Sequence, residues 1–254
     1  MLIQSMIVAF SMYSKIPMPK IQWNEKNMRY ALCFFPAVGA VVGIGMYLLM
    51  WICEKFSMGN LFRACAATVL PVVITGGIHL DGYLDTIDAL HSYGDREKRL
   101  EILKDPNSGA FAVIFGLVYF VLSVGIWSEI SLQAMPFLCI SYTISRTLSG
   151  FSMVTFPLAK NTGLVAAFQE GADKKKVIVV LALLFTIEAL LLFFFNVWMG
   201  VFVMVPALLC FLYHYYVCKR IFGGITGDLA GYFLQICELV MAAGIMFAGS
   251  IKVI

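Results

Sequence analysis

Long apolar stretches alternate with short polar segments along almost the whole chain. A hydrocarbon core of about 30 Å is crossed by about 20 helical residues, each rising about 1.5 Å. Seven stretches approach this length, at residues 30–53, 61–80, 109–127, 132–150, 177–199, 200–217 and 229–251. The pattern predicts an all-α protein, a polytopic bundle of about seven transmembrane helices in the lipid bilayer.

The N-terminal stretch, residues 1–13, is also apolar but is too short to span comfortably, and Pro17 and Pro19 follow it closely. We therefore expect a short interfacial or re-entrant segment there. No Pro- or Ser-rich linker divides the chain, so residues 1–254 are predicted to form a single integral membrane domain.

The composition supports the membrane assignment and narrows the partners. Hydrophobic residues make up 61% of the chain and charged residues 13%, with a mean hydropathy of +0.89, whereas roughly 25% of the residues of a soluble domain are charged. A net charge of +3 is too small to indicate a nucleic-acid partner. The seven cysteines show no CxxC or Cys/His metal spacing, and we interpret them as apolar residues of helix interfaces.

The basic residues are divided unequally between alternate connections. Fourteen of the 18 lie in one alternating set and three in the other. The rich set is Lys15, Lys20, Lys26, Arg29, Arg96, Lys98, Arg99, Lys104, Lys160, Lys174, Lys175, Lys176, Lys219 and Arg220; the poor set is Lys55, Arg63 and Lys252. Because cytoplasmic loops are enriched in Lys and Arg, we predict a multi-pass protein of the cell (inner) membrane whose active-site loops are cytoplasmic.

Three aspartates follow the second apolar stretch with helical spacing. Asp81, Asp85 and Asp88 fall at i, i+4 and i+7, so one helix face would carry all three. Carboxylates so close repel one another unless a cation lies between them, and oxygen ligands without a nearby thiol favour Mg²⁺. We predict a metal site on this face; the simpler alternative is a solvated acidic helix.

A glycine-rich turn at residues 223–231 precedes the last apolar stretch, on the same predicted side of the membrane. Glycines let backbone N–H groups approach a phosphate, and a helix N-terminus favours an anion. Asp228 lies in this turn. We expect its carboxylate to approach the aspartate stripe and to join the metal site.

Four other polar residues lie within or beside the apolar stretches. Arg146 lies near the inner end of the fourth stretch, where a cation is costly unless it faces a polar cavity or an anion; phosphate binding and a structural role are both open. His79 is a candidate general base or a structural residue. Glu238 could face the same cavity, and Glu188 lies in mid-span without an assigned partner.

These motifs together resemble those of a known enzyme family. Segment 76–90, with His79 and the three aspartates, is similar to the signature of the cobalamin synthase family, the adenosylcobinamide-GDP ribazoletransferases. Further similar blocks cover nearly the whole chain: Lys15-Ile16-Pro17, Phe35-Pro36, Lys104-Asp105, Ser145-Arg146, Pro157, Lys160, Gly163-Leu164, Ala167-Phe168, Gly224, Thr226-Gly227-Asp228, Gly231 and Glu238. Two departures stand out, because Lys160 replaces an arginine of many members and Tyr232 replaces a small residue.

The resemblance implies a Mg²⁺-dependent transfer late in cobalamin biosynthesis. A ribose hydroxyl of α-ribazole, or of its 5′-phosphate, attacks adenosylcobinamide-GDP, and GMP leaves. The catalytic residues implied are His79, as a proton acceptor, Asp81 and Asp85, and the metal ligands are Asp81, Asp85, Asp88 and Asp228. Substrate and phosphate contacts are implied at Gly76, Gly77, Arg146, Lys160, Gly224, Thr226 and Gly227.

Two other functions fit parts of the pattern. A CDP-alcohol phosphotransferase also clusters aspartates in a membrane, but its pattern has an Ala-Arg pair where Asp85-Thr86 stands here, and its later aspartate pair is missing. An ion-coupled transporter could use Glu188 and Glu238, but such sites usually lie at the midplane between repeated halves. The sequence leaves a homo-oligomer open.

Overall fold

The computed structural model describes residues 2–251, and helices occupy most of that range with no β-strand among them. The α-helices are α1 (Leu2–Tyr13), α2 (Glu25–Met28), α3 (Phe35–Lys55), α4 (Asn60–Thr75), α5 (Ile78–His91), α6 (Arg96–Ile102), α7 (Ala110–Glu129), α8 (Met135–Thr155), α9 (Leu164–Gly171), α10 (Lys174–Phe195), α11 (Val197–Tyr216) and α12 (Gly227–Ser250). The all-α prediction is confirmed. Lys252, counted above with the poorly charged side, lies outside the described residues.

Five helical segments within residues 2–251 are long and apolar enough to cross a membrane: Glu25–Lys55, Ala110–Glu129, Lys174–Phe195, Val197–Phe222 and Gly227–Ser250. Helices α4 and α5 add a sixth if they are counted as one broken span. Large apolar side chains on these segments are exposed, as expected for lipid contact. The prediction of a helical membrane protein is therefore confirmed, but the number seven is not.

Helix α8 accounts for one of the predicted spans that is missing from these five segments. It covers the predicted stretch 132–150, yet 15 of its 21 residues are buried, among them Arg146 and several Ser and Thr residues. It packs against α3, α10 and α12, so protein rather than lipid surrounds it. A helix in this position needs no apolar surface, because its polar groups find partners inside the bundle.

The predicted stretch 61–80 is not one straight helix. Helix α4 ends at Thr75, and the chain turns by 98° before α5 begins at Ile78. The turn uses left-handed backbone at Gly76 (φ 68°) and Gly77 (φ 80°), a conformation that only glycine adopts without steric cost. At 1.5 Å per residue, the 14 residues of α5 are about 21 Å long, which is too short to cross a hydrocarbon core of about 30 Å. We therefore place α5 outside the membrane-spanning segments.

Helix α1 packs on the protein through one face. Val8, Phe10 and Tyr13 are buried in the same apolar cluster as Phe35 at the start of α3. The Lys15 backbone N–H donates to the Ile74 carbonyl at 2.8 Å, which ties the end of α1 to the end of α4. The segment expected to lie at the interface thus also covers one end of the helical bundle.

Candidate functional site

A cavity of about 300 Å³ opens where α1, α5, α8 and α12 meet the polar connections. Its lining includes Lys104, Lys160 and Thr226, one from each of the three basic-rich connections that follow the second apolar stretch. These three connections therefore lie on one face of the bundle, as the alternation of basic residues requires. Tyr13 and Asp81 extend the lining to α1 and α5.

Two glycines allow α5 and α12 to approach backbone to backbone. A Cβ atom at Gly82 would lie 2.8 Å from the Asp228 carbonyl oxygen, and one at Gly231 would lie 3.0 Å from the His79 carbonyl oxygen. A side chain at Gly82 would require the backbone of α12 to shift, and one at Gly231 would be very tightly packed against α5. The crossing brings Asp228 to the aspartate stripe of α5, although the two segments are far apart in sequence.

Three carboxylates interact electrostatically at this crossing. Asp81 and Asp228 line the cavity, and Asp85 lies one turn further along α5. Burial raises the pKa of Asp85 to about 6, and the negative charges of Asp81, Asp228 and Asp88 add to the effect. Within residues 2–251 none of these carboxylates forms a salt bridge with Lys or Arg. The crossing is therefore a concentration of negative charge without a directly paired cation.

Asp88 faces away from the cavity and caps a helix. Its carboxylate accepts hydrogen bonds from the backbone N–H groups of Gly109 and Ala112, the latter at 2.8 Å, at the N-terminus of α7. Both oxygens are thus already used by backbone donors that would otherwise be unsatisfied. The predicted metal role of Asp88 has no geometric support in this arrangement, and its observed contacts are structural.

Replacement of Asp88 by two different residues should separate these roles. We expect Asp88→Ala to lower stability by about 1 kcal/mol through loss of the cap. Asp88→Ser keeps a capping oxygen but removes the charge, so it should retain both stability and turnover. Thermal unfolding and initial rates measure the two effects. A stable Asp88→Ser protein without activity would show that the carboxylate itself is needed for the reaction.

The glycine-rich turn has two distinct parts. Thr226, Gly227 and Asp228 line the cavity, and the Thr226 hydroxyl caps α12 by accepting from the Leu229 N–H at 3.2 Å. A Cβ built at Gly227 would meet no atom of any other described segment within 4 Å, so this side of the turn is open to a ligand. Gly224 instead packs against the backbone of Leu158 and Ala159, beside the bridge that pairs Leu158 with Ile225.

The structure places only some of the predicted phosphate-binding residues at the cavity. Thr226, Gly227 and Lys160 belong to the cavity lining. Gly76 and Gly77 form the turn between α4 and α5, with the Lys15 methylene groups lying directly over Gly76. They do not line the cavity, and neither does Gly224. The predicted phosphate contacts of these three glycines therefore gain no support from the geometry.

Arg146 is an internal residue of the bundle. Only 1% of its side chain is exposed, and its guanidinium forms a salt bridge with Glu238 of α12. Ser145 donates to the same Glu238 carboxylate at 2.9 Å, and the guanidinium also donates to the Tyr142 carbonyl at 3.2 Å. Arg146 is absent from the cavity lining, so its observed partner is a carboxylate where a phosphate was expected.

His79 is buried at the cavity, with 3% of its surface exposed. Its Nε2 atom has no hydrogen-bond partner within the described residues. Burial, and to a lesser extent the charge of Arg146, lower the pKa of His79 well below its usual value. The imidazole is therefore neutral, so an unprotonated ring nitrogen is available to a substrate hydroxyl, although the lowered pKa also makes it a weak base.

Two lysines line the same cavity as the aspartates. Lys160 Nζ donates to the Leu100 carbonyl at 2.8 Å, and Lys104 of the preceding polar connection lines the same cavity. Burial and the neighbouring charge of Lys104 lower the pKa of Lys160. Two ammonium groups held together in this way favour an anion between them, because a shared phosphate relieves their repulsion.

Several lining residues were not identified from the sequence as site residues, among them Tyr13, Phe35, Lys104 and Ser149. Tyr13 and Phe35 belong to apolar segments, where the hydrophobic pattern alone indicates packing. Lys104 was counted only as one of many cytoplasmic charges. The signal that could have found it is its block, Lys104-Asp105, within the family resemblance.

Comparisons with known proteins identify the family of the chain. The family model described as cobalamin-5-phosphate synthase matches residues 5–246. An adenosylcobinamide-GDP ribazoletransferase of Lachnoclostridium phytofermentans is 45% identical over 97% of this chain and 94% of its own length. Proteins of the same name from Clostridium perfringens (31% identical over 96% of each chain) and Carboxydothermus hydrogenoformans (30% over the full length of both) are also similar. No solved structure matches. The chain therefore belongs to the cobalamin-5-phosphate synthase family.

Proposed function

We propose that this protein joins adenosylcobinamide-GDP to α-ribazole, or to α-ribazole 5′-phosphate, and releases GMP. The relatives carry the name of this transferase over essentially their full length. The observation that carries the proposal is one cavity lined by two carboxylates (Asp81, Asp228), two lysines (Lys104, Lys160) and His79, whose Nε2 has no hydrogen-bond partner within the described residues. Phosphoryl-type transfer requires these elements: charge neutralisation, positioning and a proton acceptor.

The side chains divide the reaction between them. A ribose hydroxyl attacks the phosphorus that carries the corrinoid side chain, a new P–O bond forms, and the P–O bond to GMP breaks. The hydroxyl proton passes to Nε2 of His79. Lys104 and Lys160 offset the charge of the diphosphate, and the N–H groups at the start of α12, beside Gly227, favour the same anion.

The carboxylates at the helix crossing fit Mg²⁺ by their chemistry. No group of three or more His, Cys, Asp or Glu residues among those described is arranged to hold a metal. Mg²⁺, however, commonly uses only one or two carboxylates and keeps waters and substrate phosphates as its other ligands. Asp81 and Asp228 would hold it, with Asp85 close behind. When bound, the ion would neutralise charge on the diphosphate as the bond to GMP breaks.

The direct test is an assay with purified protein in detergent or nanodiscs. Incubation with adenosylcobinamide-GDP, α-ribazole and Mg²⁺ should yield GMP and a cobalamin product in equal amounts. EDTA should stop the reaction, and restored Mg²⁺ should revive it. GMP without a joined corrinoid would indicate hydrolysis, and no GMP at all with both substrates present would contradict the proposal.

The basic asymmetry predicts that the cavity faces the cytoplasm. In a background without native cysteines, Tyr93→Cys and Asn161→Cys should be protected from a membrane-impermeant maleimide in intact cells and should react after lysis. Met58→Cys, in the connection after α3, should react in intact cells. All three side chains are exposed. Labelling of Tyr93→Cys from outside would reverse the proposed orientation.

The two alternative functions gain no support. Glu188 accepts a hydrogen bond from Thr147 at 2.9 Å and Glu238 pairs with Arg146, so both acids are bound to α8 inside the bundle. A coupling site for a transporter would have to break these contacts. The family match over residues 5–246 separates the chain from the CDP-alcohol phosphotransferases.

A further inference from the structure

Aromatic rings form part of the cavity wall. The Tyr13 and Phe35 ring centroids lie 4.1 Å apart, and each lies 5.8 Å from the His79 ring centroid. Tyr13 and Phe35 are 5% and 1% exposed, and both line the cavity. Met153 completes this wall and accepts a long hydrogen bond from the Tyr13 hydroxyl. Such a surface suits a planar, weakly polar ring.

Two buried polar atoms in this part of the lining have no partner within the described residues: Nε2 of His79 and Oγ of Ser149. Ser149 is fully buried on α8. Other serines of that helix, Ser141 and Ser145, donate to carbonyls of the preceding turn. A buried hydroxyl without a partner is unfavourable. The unusual state of Ser149 therefore points to a ligand that supplies its hydrogen bond.

The size and polarity of the cavity select the ligand. A volume of about 300 Å³ suits a nucleoside-sized group and is too small for a corrin ring with its side chains. Guanine carries several donors and acceptors on its edge, and each would be left unpaired against Tyr13, Phe35 and Met153. A benzimidazole-type base has a single free ring nitrogen. That nitrogen can accept one hydrogen bond from Ser149.

We propose that the Tyr13–Phe35 wall and Ser149 form the binding site for the base of the ribazole substrate, an inference that rests on the proposed transferase function. The base packs against this wall, and its free ring nitrogen accepts from the Ser149 hydroxyl. The attached ribose then lies at His79, whose Nε2 has no hydrogen-bond partner within the described residues. The diphosphate of the other substrate lies between the aspartates and the lysines.

Ser149→Ala tests the hydrogen bond with minimal change of volume. We expect it to weaken equilibrium binding of α-ribazole about ten-fold. An analogue with an indole base, in which CH replaces the free ring nitrogen, should bind equally to wild-type protein and Ser149→Ala. Ser141→Ala, a buried serine on the same helix outside the cavity, should leave both ligands unaffected. Equal losses for the two ligands, or no loss for either, would overturn this part of the proposal.

The aromatic wall is tested by kinetics with both substrates. Tyr13→Leu should raise the KM for α-ribazole about ten-fold, a typical effect of losing a stacked ring, and should change the KM for adenosylcobinamide-GDP less than two-fold. Tyr13→Phe keeps the ring and should behave as wild type. Phe211→Leu removes a ring that packs on Phe156 and Phe233 outside the cavity and serves as the matched control.

The outcomes separate this inference from the proposed function. If the wild-type protein releases no GMP with both substrates, the function itself fails. If it is active but Tyr13→Leu raises only the KM for adenosylcobinamide-GDP, the wall holds the other substrate and the base assignment is overturned. Wild-type protein that turns over but does not bind α-ribazole alone would also contradict a preformed base site.

Discussion

Asp81→Asn and Asp228→Asn should each reduce turnover by roughly 10²–10³-fold without loss of folding. Asparagine has nearly the same shape as aspartate but carries no charge to bind a cation or to offset charge near the diphosphate. The two side chains come from helices α5 and α12 and line the same cavity. Initial rates of GMP release at saturating Mg²⁺ measure the effect.

Although they reduce turnover, these two substitutions should not lower the stability of the protein. Each substitution removes one of the like charges that raise the pKa of Asp85, so the melting temperature in the absence of metal should be unchanged or higher. Glu97→Gln, an exposed acid on α6, is the matched control and should keep wild-type rates. Wild-type turnover in both aspartate variants would remove the helix crossing from the mechanism.

Arg146→Ala should destabilise the protein by about 3–5 kcal/mol, because it leaves the Glu238 carboxylate buried without its partner. The pair links α8 to α12, and Ser145 donates to the same carboxylate. Arg146→Lys should recover only part of the stability, since an ammonium group cannot reproduce the planar guanidinium contacts. Unfolding in a mixed detergent system, followed by tryptophan fluorescence, measures the loss.

A double replacement tests the same interaction from both sides. Arg146→Met combined with Glu238→Gln removes both charges, so it should fold better than Arg146→Ala alone. The sequence had suggested a phosphate contact for Arg146. If Arg146→Ala unfolds like the wild type but loses turnover, that earlier hypothesis would be correct and the structural role of the ion pair would be minor.

The sequence predicted the helices well because lipid imposes a simple rule. Each of the seven apolar stretches overlaps a long helix, although stretch 61–80 also contains the bend between α4 and α5. Which of these helices contact lipid was less predictable, because hydropathy cannot distinguish contact with lipid from contact with other helices. Helix α8 and the bend at Gly76–Gly77 show this: both depend on tertiary packing. Glycine signals a turn in the sequence, but the direction of that turn comes from the partner helices.

The candidate site was predicted to a similar extent. The spacing of Asp81 and Asp85 and the position of Asp228 indicated residues that the fold does bring together. Asp88 shares the helical spacing, yet its carboxylate caps α7, a contact that depends on Gly109, 21 residues later at the start of that helix. The aromatic wall was missed because a buried tyrosine and a buried phenylalanine have the same sequence pattern whether they pack in a core or line a cavity.

A cryo-EM structure with adenosylcobinamide-GDP and Mg²⁺, but without α-ribazole, tests the central claim most directly. We expect the diphosphate between the Asp81–Asp228 pair and the Lys104–Lys160 pair, with the metal beside the two carboxylates and the corrin ring outside the cavity. The end of the cavity at Tyr13 should remain free for the second substrate. Density for the diphosphate at another face of the bundle, distant from all four residues, would contradict the account.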